Sequence, residues 1–423
     1  MTVLDTPRTS LFDLSRRFHV GEWFAAGPHV SAGPQKPSRT RRYEMLDVWR
    51  GLICLLVVLE HVGVVLWPEV GDAKDWSTTI HLWVNWCLSL NFGTPLFFVI
   101  SGYCIAASVE SAVRKGQGPS SFLGRRLWRI YPTYWAALLL FVAVVAGLDA
   151  FGLVRLHESE VSLAVASPGT VTWPQWLGNL TLTETWRPWL GGGGSNVYTR
   201  VAWSLCYPEQ FYLVCFVAMW LAPNRILPFL FKLTAVVLLW RVVLWDSGRL
   251  HVLEGTFPYY WHEFAVGLAV YWRLNANPTP QAARALNACL AALAALGFWF
   301  GDRPTLAAAA FGLVLIGLHR WDARAGRAAW LEPLRACGRR SFSIYLTHLP
   351  LVMVANVVLF DLGLTSFAAR ILVIVPVVTV ASVAFGFAFY AVVEKRFTGA
   401  PALFGLGLAG RVPAAAPAAP QAA

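Results

Sequence analysis

Ile371-Leu-Val-Ile-Val-Pro-Val-Val-Thr-Val-Ala-Ser-Val-Ala-Phe-Gly-Phe-Ala-Phe-Tyr390 runs for twenty residues without a charge. A helix rises ~1.5 Å per residue, so ~20 apolar residues cover the ~30 Å hydrocarbon core of a bilayer. Lipid offers backbone N–H and C=O groups no partner, so such a run must close its own hydrogen bonds as a helix. Comparable windows recur near 44–67, 79–106, 131–150, 203–222, 226–245, 256–273, 284–300, 304–319, 341–360 and 367–393. The expected fold is all-α: a polytopic membrane helix bundle with about ten transmembrane helices. Composition agrees, with 57% hydrophobic and only 13% charged residues, against ~25% charged in a soluble domain.

The net charge of +11 would suit a nucleic-acid partner, but its distribution argues against one. Cations gather in alternate connections: Arg39, Arg41 and Arg42; Arg114 to Arg129; Arg225; Arg273 and Arg284; Arg320 to Arg340; Lys395 and Arg396. The intervening connections carry acids, among them Glu69, Asp72, Asp75, Glu158, Glu160, Glu184, Asp246 and Glu254. The positive-inside rule then places both termini in the cytoplasm. Many of the 21 tryptophans cluster near span ends, as interfacial belts require. The seven cysteines form no CxxC pair and read as small packing residues. No metal site is expected, and no HExxH, GxSxG or Walker-type loop occurs.

Residues 1–43 read as a flexible cytoplasmic extension, 44–396 as one membrane-embedded domain, and 397–423 as a disordered Ala/Pro-rich tail. The longest connection, about 151–202, holds Trp173, Trp176, Trp186 and Trp189 and a glycine run from Gly191 to Gly194. Connections of this length carry function or structure of their own. Trp173 to Thr185 suits a short amphipathic helix on the membrane surface; the glycines suit a hinge or a spacer equally.

Ionisable groups within spans cost at least ~2.5–3.5 kcal/mol on insertion scales and persist when paired or functional. The first span contains Asp47, Arg50, Glu60 and His61. Arg50 and His61, eleven residues apart, return to within about 20° of one helix face and lie ~16 Å apart along the axis. Asp47 sits one turn before Arg50 and can pair with it. This stripe is expected to share one conduit, with a guanidinium at the inner mouth and, deeper, an imidazole able to take a hydroxyl proton. A His and an Arg satisfied by interhelical hydrogen bonds is the plainer alternative. Arg125, Arg126 and Arg129 follow the second span, where bidentate guanidiniums can hold phosphates. Glu209 and Gln210 open the fourth span, His262 and Glu263 the sixth, and His348 lies about two turns into the ninth.

Taken in order, these segments resemble the acyltransferase-3 family of integral membrane acyltransferases. The resemblance rests on Tyr43-Glu-Met-Leu-Asp47-Val-Trp-Arg50-Gly51 through His61, and on Gly93-Thr-Pro-Leu-Phe97-Phe98-Val-Ile-Ser101-Gly102-Tyr103. It continues through Arg125-Arg126…Arg129-Ile-Tyr-Pro132, Trp176-Leu-Gly-Asn179, Trp203-Ser-Leu…Glu209-Gln-Phe-Tyr212 and Ser343-Ile-Tyr-Leu-Thr-His348-Leu-Pro350. It implies transfer of an acyl group, acetyl by preference, from cytoplasmic acyl-CoA to a hydroxyl of an extracytoplasmic saccharide or lipid-linked acceptor. By resemblance the catalytic set is His61, Arg50, Asp47 and Glu209, and the donor is held by Arg50, Arg125, Arg126, Arg129, Ser101 and His348. Where family members carry an acid, this chain has Pro208, leaving Glu209 alone there. The same buried polar groups would also suit a transporter of a lipid or sugar, although no internal repeat is visible, or a non-catalytic membrane scaffold.

Overall fold

A computed structural model describes residues 43–399 except 66–77, 91, 153–165, 192, 224, 364–365, 367 and 369. The N-terminal extension before residue 43, the tail from residue 400, and Glu69, Asp72, Asp75, Glu158 and Glu160 lie outside these residues. Among the described residues there is no strand. The helices are α1 (Leu46–Val65), α2 (Thr78–Ser89), α3 (Gly93–Arg114), α4 (Pro119–Ala150), α5 (Trp173–Leu180), α6 (Cys206–Leu221) and α7 (Ile226–Asp246). They continue as α8 (Trp261–Asn275), α9 (Pro280–Trp299), α10 (Arg303–Leu318), α11 (Glu332–Arg339), α12 (Ser341–Asp361) and α13 (Val375–Val392).

Each apolar window is helical, with one correction. The window 79–106 is two helices, α2 ending at Ser89 and α3 beginning at Gly93. Pro95 lies in the first turn of α3; it has no N–H to give the preceding turn, so it starts a helix more readily than it continues one. Pro132 is tolerated inside the 32-residue α4, which carries Arg125, Arg126 and Arg129 on the same rod as the third span.

Among the described residues, six helices are long and apolar enough to cross a membrane: α3, α4, α7, α9, Arg303–Ala325 and Arg370–Val392. The protein is an integral, multi-pass membrane protein. On α7, Val236, Leu239, Val242 and Val243 are 57–68% exposed, a face that water would reject and acyl chains accept. With 16 and 15 residues, α6 and α8 reach only about 24 and 22 Å. Each is preceded by 3₁₀ turns, at Arg200–Leu205 and Phe257–Tyr259.

Two apolar cores form the interior. One gathers α3, α6, α8 and α10 around Phe98, Phe211, Trp261 and Phe264; the other gathers parts of α1, α4, α12 and α13 around Val58, Tyr134, Phe141 and Leu349. Phe97 and Ile130 pack against both. Within the first, α3 and α8 touch backbone to backbone, since a Cβ on Gly102 would lie 2.1 Å from the Phe264 carbonyl oxygen.

The polar end of α1 is fixed twice. The Asp322 carboxylate accepts hydrogen bonds from the backbone N–H groups of Glu44 (2.9 Å) and Met45 (2.8 Å), capping the helix from a remote segment. Beside it, α11 packs directly on α1: a Cβ on Gly51 would lie 1.9 Å from Leu334 O, and one on Gly338 1.7 Å from Asp47 O. Gly338→Ala is therefore expected to force the two helices apart at a cost of ~1–3 kcal/mol. Heating detergent-solubilised protein and following its size-exclusion peak should show a lowered melting temperature. Gly317→Ala, with nothing within 4 Å, should leave it unchanged.

Candidate active site

Arg50 leaves α1 between two partners. Its Nη1 lies 3.4 Å from Asp47 Oδ1, and its Nη2 donates to Cys104 Sγ at 2.9 Å. Cys104 thus differs from the buried Cys54, Cys87, Cys206, Cys215 and Cys337, which serve as packing. Arg50 and Asp47 line a cavity of about 480 Å³ with Ser101, Arg126, Arg129 and Arg339. The Arg126 guanidinium bonds the Ser108 hydroxyl and stands 5.7 Å from the Tyr212 ring centroid, held by a hydrogen bond and a cation–π contact. Arg129, three residues on, is exposed. The expected neighbours on one helix face are therefore both at this cavity. Arg125 is not: its Nη1 donates to Ser121 Oγ at 2.5 Å. The wall also contains Glu394, 2% exposed, whose carboxylate accepts from Ser343 Oγ at 2.6 Å.

His61 opens elsewhere. With Ser195, Asn196, Arg200 and Trp203 it lines a second cavity of about 420 Å³. The expectation of a single conduit needs correcting: Arg50 and His61 share a stripe of α1 but face separate spaces. The division comes from α12 and the 3₁₀ segment before α6. The Tyr345 hydroxyl stands 2.9 Å from the Val201 carbonyl oxygen and 2.6 Å from Ser204 Oγ, which itself lies 3.3 Å from the same carbonyl. Tyr345 and Ser204 border the first cavity, whereas Val201 borders the second. The Tyr345 ring lies 6.1 Å from that of Phe97 and 5.7 Å from that of His348.

His61 Nδ1 stands 2.8 Å from Val57 O. A carbonyl can only accept, so Nδ1 carries the proton and Nε2 keeps its lone pair. On α12, His348 is fully buried and lines neither cavity, with Nε2 3.4 Å from His61 Nδ1. Donor contact, expected of His348, is therefore closed to it. Glu209, expected in the catalytic set, also lines neither cavity; its carboxyl group is hydrogen-bonded to the Tyr131 hydroxyl, which stands 2.8 Å from Thr181 O. His262 and Glu263 are buried at the start of α8, where His262 Nε2 meets Thr305 Oγ1 at 2.8 Å.

The second cavity owes its shape to a bracket in the long connection. Asn179, 1% exposed, donates from Nδ2 to Asn196 O and accepts from Tyr198 N through Oδ1, both at 2.8 Å. Glu184 accepts from Asn196 N (2.8 Å) and from Arg187 Nε (2.7 Å) and Nη2 (2.9 Å). Arg187 and Gln175 both donate to Gly194 O, so the glycine run is anchored at its end rather than free to swing. The amphipathic helix expected here is α5, with Trp173, Leu177 and Leu180 exposed and Gly178 and Asn179 buried. Reading by residue type alone missed Arg339, Glu394, Ser204, Tyr345 and this bracket, although Asn179 and Tyr345 stand inside quoted motifs.

An all-helical, multi-pass bundle with a guanidinium-lined cavity and a histidine-bearing cavity on either side of one tyrosine defines the class of molecule. A family model described as an acyltransferase domain matches residues 43–391, and the chain belongs to the acyltransferase-3 family. It is 27% identical over 390 residues to a Komagataeibacter xylinus protein named as a membrane-bound transacylase, covering 88% of this chain and 85% of that protein. It is 28% identical over 267 residues to an exopolysaccharide production protein of Rhizobium meliloti, covering 60% and 74% of the two chains. A Bacillus subtilis protein named for peptidoglycan O-acetyltransfer is 26% identical over 313 residues, covering 66% of this chain and 46% of that protein. No solved structure matches.

The bracket makes a stability test. Arg187→Met leaves the Glu184 carboxylate, 1% exposed, without its guanidinium, and breaking a buried ion pair from one side costs ~3–5 kcal/mol. The melting temperature in detergent should fall well below that of wild type.

Proposed function

We propose that the protein is an O-acyltransferase that passes an acyl group, acetyl by preference, from cytoplasmic acyl-CoA to a saccharide hydroxyl on the other side of the bilayer. The observation that carries this reading is the pairing of two unlike cavities across Tyr345. The first has Arg50, Arg126, Arg129 and Arg339 at its wall, the donor set for phosphates, and Phe97, Phe98 and Ile105 for an apolar arm. The second offers Ser195 and Asn196 for hydroxyls, Trp203 for a sugar face, and the imidazole of His61. The relatives' names, transacylase, exopolysaccharide production and peptidoglycan O-acetyltransfer, support the same chemistry. The alternation of arginine-rich and acidic connections in the sequence supports a cytoplasmic side for the first cavity, where acyl-CoA is made.

In this mechanism Arg50, oriented by Asp47, and Arg126 with Arg129 hold the donor phosphates. The thioester end reaches Tyr345, whose side chain must turn aside for the carbonyl to meet the second cavity. His61 Nε2 takes the proton of the acceptor hydroxyl as its oxygen attacks the thioester carbon. The C–S bond then breaks, the ester is released, and the departing thiolate recovers the proton from the imidazolium. The closed partition keeps water from the thioester before the acceptor is seated.

Purified protein in proteoliposomes with labelled acetyl-CoA and an oligosaccharide acceptor tests the reading. Wild type should transfer label. His61→Ala should lower turnover by about 10²–10⁴-fold, and equal transfer by this variant would sink the mechanism. Acceptor crossing without any need for acyl-CoA would favour the transporter instead. Arg126→Ala is expected to raise the KM for acetyl-CoA by about 10- to 100-fold, the weight of a hydrogen bond to a charged group.

A further inference from the structure

His348 has an environment that the mechanism above leaves unused. It is 0% exposed. Its Nδ1 lies between two main-chain carbonyls, Tyr345 O at 2.8 Å and Ile344 O at 3.2 Å. Both oxygens can only accept, so Nδ1 bears the proton and Nε2 is a bare lone pair. That lone pair lies 3.4 Å from His61 Nδ1, which bears a proton by the same reasoning, being 2.8 Å from Val57 O. The opposite tautomer of His348 would set N–H against N–H. The two rings meet edge to face, with centroids 5.1 Å apart and planes at 67°.

We propose that His348 is a positioning residue: it accepts the Nδ1–H of His61, shared with Val57 O, and so holds the His61 Nε2 lone pair toward the acceptor cavity. The inference rests on His61 acting as the base. The role is that of the carboxylate in a serine-hydrolase triad, which orients an imidazole and steadies it once charged. Here the orienting group is neutral. A buried carboxylate would bring its own desolvation cost into an apolar bundle, and a histidine avoids it. A proton passed on from His61 to His348 Nε2 would carry the cation from the cavity wall to a fully buried ring, so it stays on His61. The main chain of Tyr345 supplies one of the two carbonyls that fix His348, so the residue that divides the cavities also sets the tautomer beside the base.

Two variants and one spectrum test this. His348→Leu removes the acceptor while keeping bulk; His348→Gln can return an acceptor oxygen near the former Nε2. Leu should lower kcat by about 10- to 100-fold, as expected for losing a hydrogen bond to a group that becomes charged, with the acetyl-CoA KM within about twofold. Gln should recover much of that loss. Wild-type kcat in the Leu variant, or equal loss in both, would overturn the proposal. Independently of activity or of the variants' folding, ¹⁵N spectra of ring-labelled histidine in lipid nanodiscs should show Nδ1 protonated and Nε2 bare on both His61 and His348. A proton on His348 Nε2 would overturn it too. Absence of acyl transfer by wild type would instead discredit the O-acyltransferase reading, and the spectrum would still decide the tautomer.

Discussion

Gly51 and Gly338 let the backbones of α1 and α11 meet where a side chain on either would collide with Leu334 O or Asp47 O. This contact, together with the Asp322 cap, fixes the rotation and height of α1, and α1 carries Asp47, Arg50, Glu60 and His61. In a bilayer an ionisable side chain finds no partner in lipid, so each group on such a helix must arrive opposite a protein partner. Arg50 arrives at Cys104 and Asp47, and His61 at Val57 O and His348. Asp47 and Val57 ride on α1 itself, so a turn of α1 by one residue would break the Arg50–Cys104 and His61–His348 contacts together.

The partition follows from the same economy of partners. The Tyr345 hydroxyl, Ser204 Oγ and Val201 O form one hydrogen-bonded cluster, with separations of 2.6, 2.9 and 3.3 Å. A satisfied tyrosine in a low-dielectric setting stays where it is until something replaces its bonds. An arriving ligand with a carbonyl and a hydroxyl can do so, an apolar one cannot.

Much of the bundle was legible because hydrophobic length is a local property: the apolar windows became helices, and Arg126 and Arg129 became neighbours as a three-residue spacing on a helix dictates. The fresh start of α3 at Gly93 goes with Pro95 in its first turn rather than with hydropathy. The helix α11 escaped notice because it is eight residues of mixed polarity, too short to stand out from a charged connection. At the site, the spacing of Arg50 and His61 was correct as geometry but silent about what lies between them. That depends on Tyr345 and Ser204, 141 residues apart, and no local pattern brings them together. Glu209 failed to reach the cavities for a similar reason: its partner Tyr131 lies 78 residues away.

Phe97 and Ile130 belong to both apolar cores and also border the arginine-lined cavity. The seam between the two cores therefore runs along this cavity. A molecule seated there would touch both cores at once. Under the proposed function, binding of the acyl donor would brace the two cores against one another.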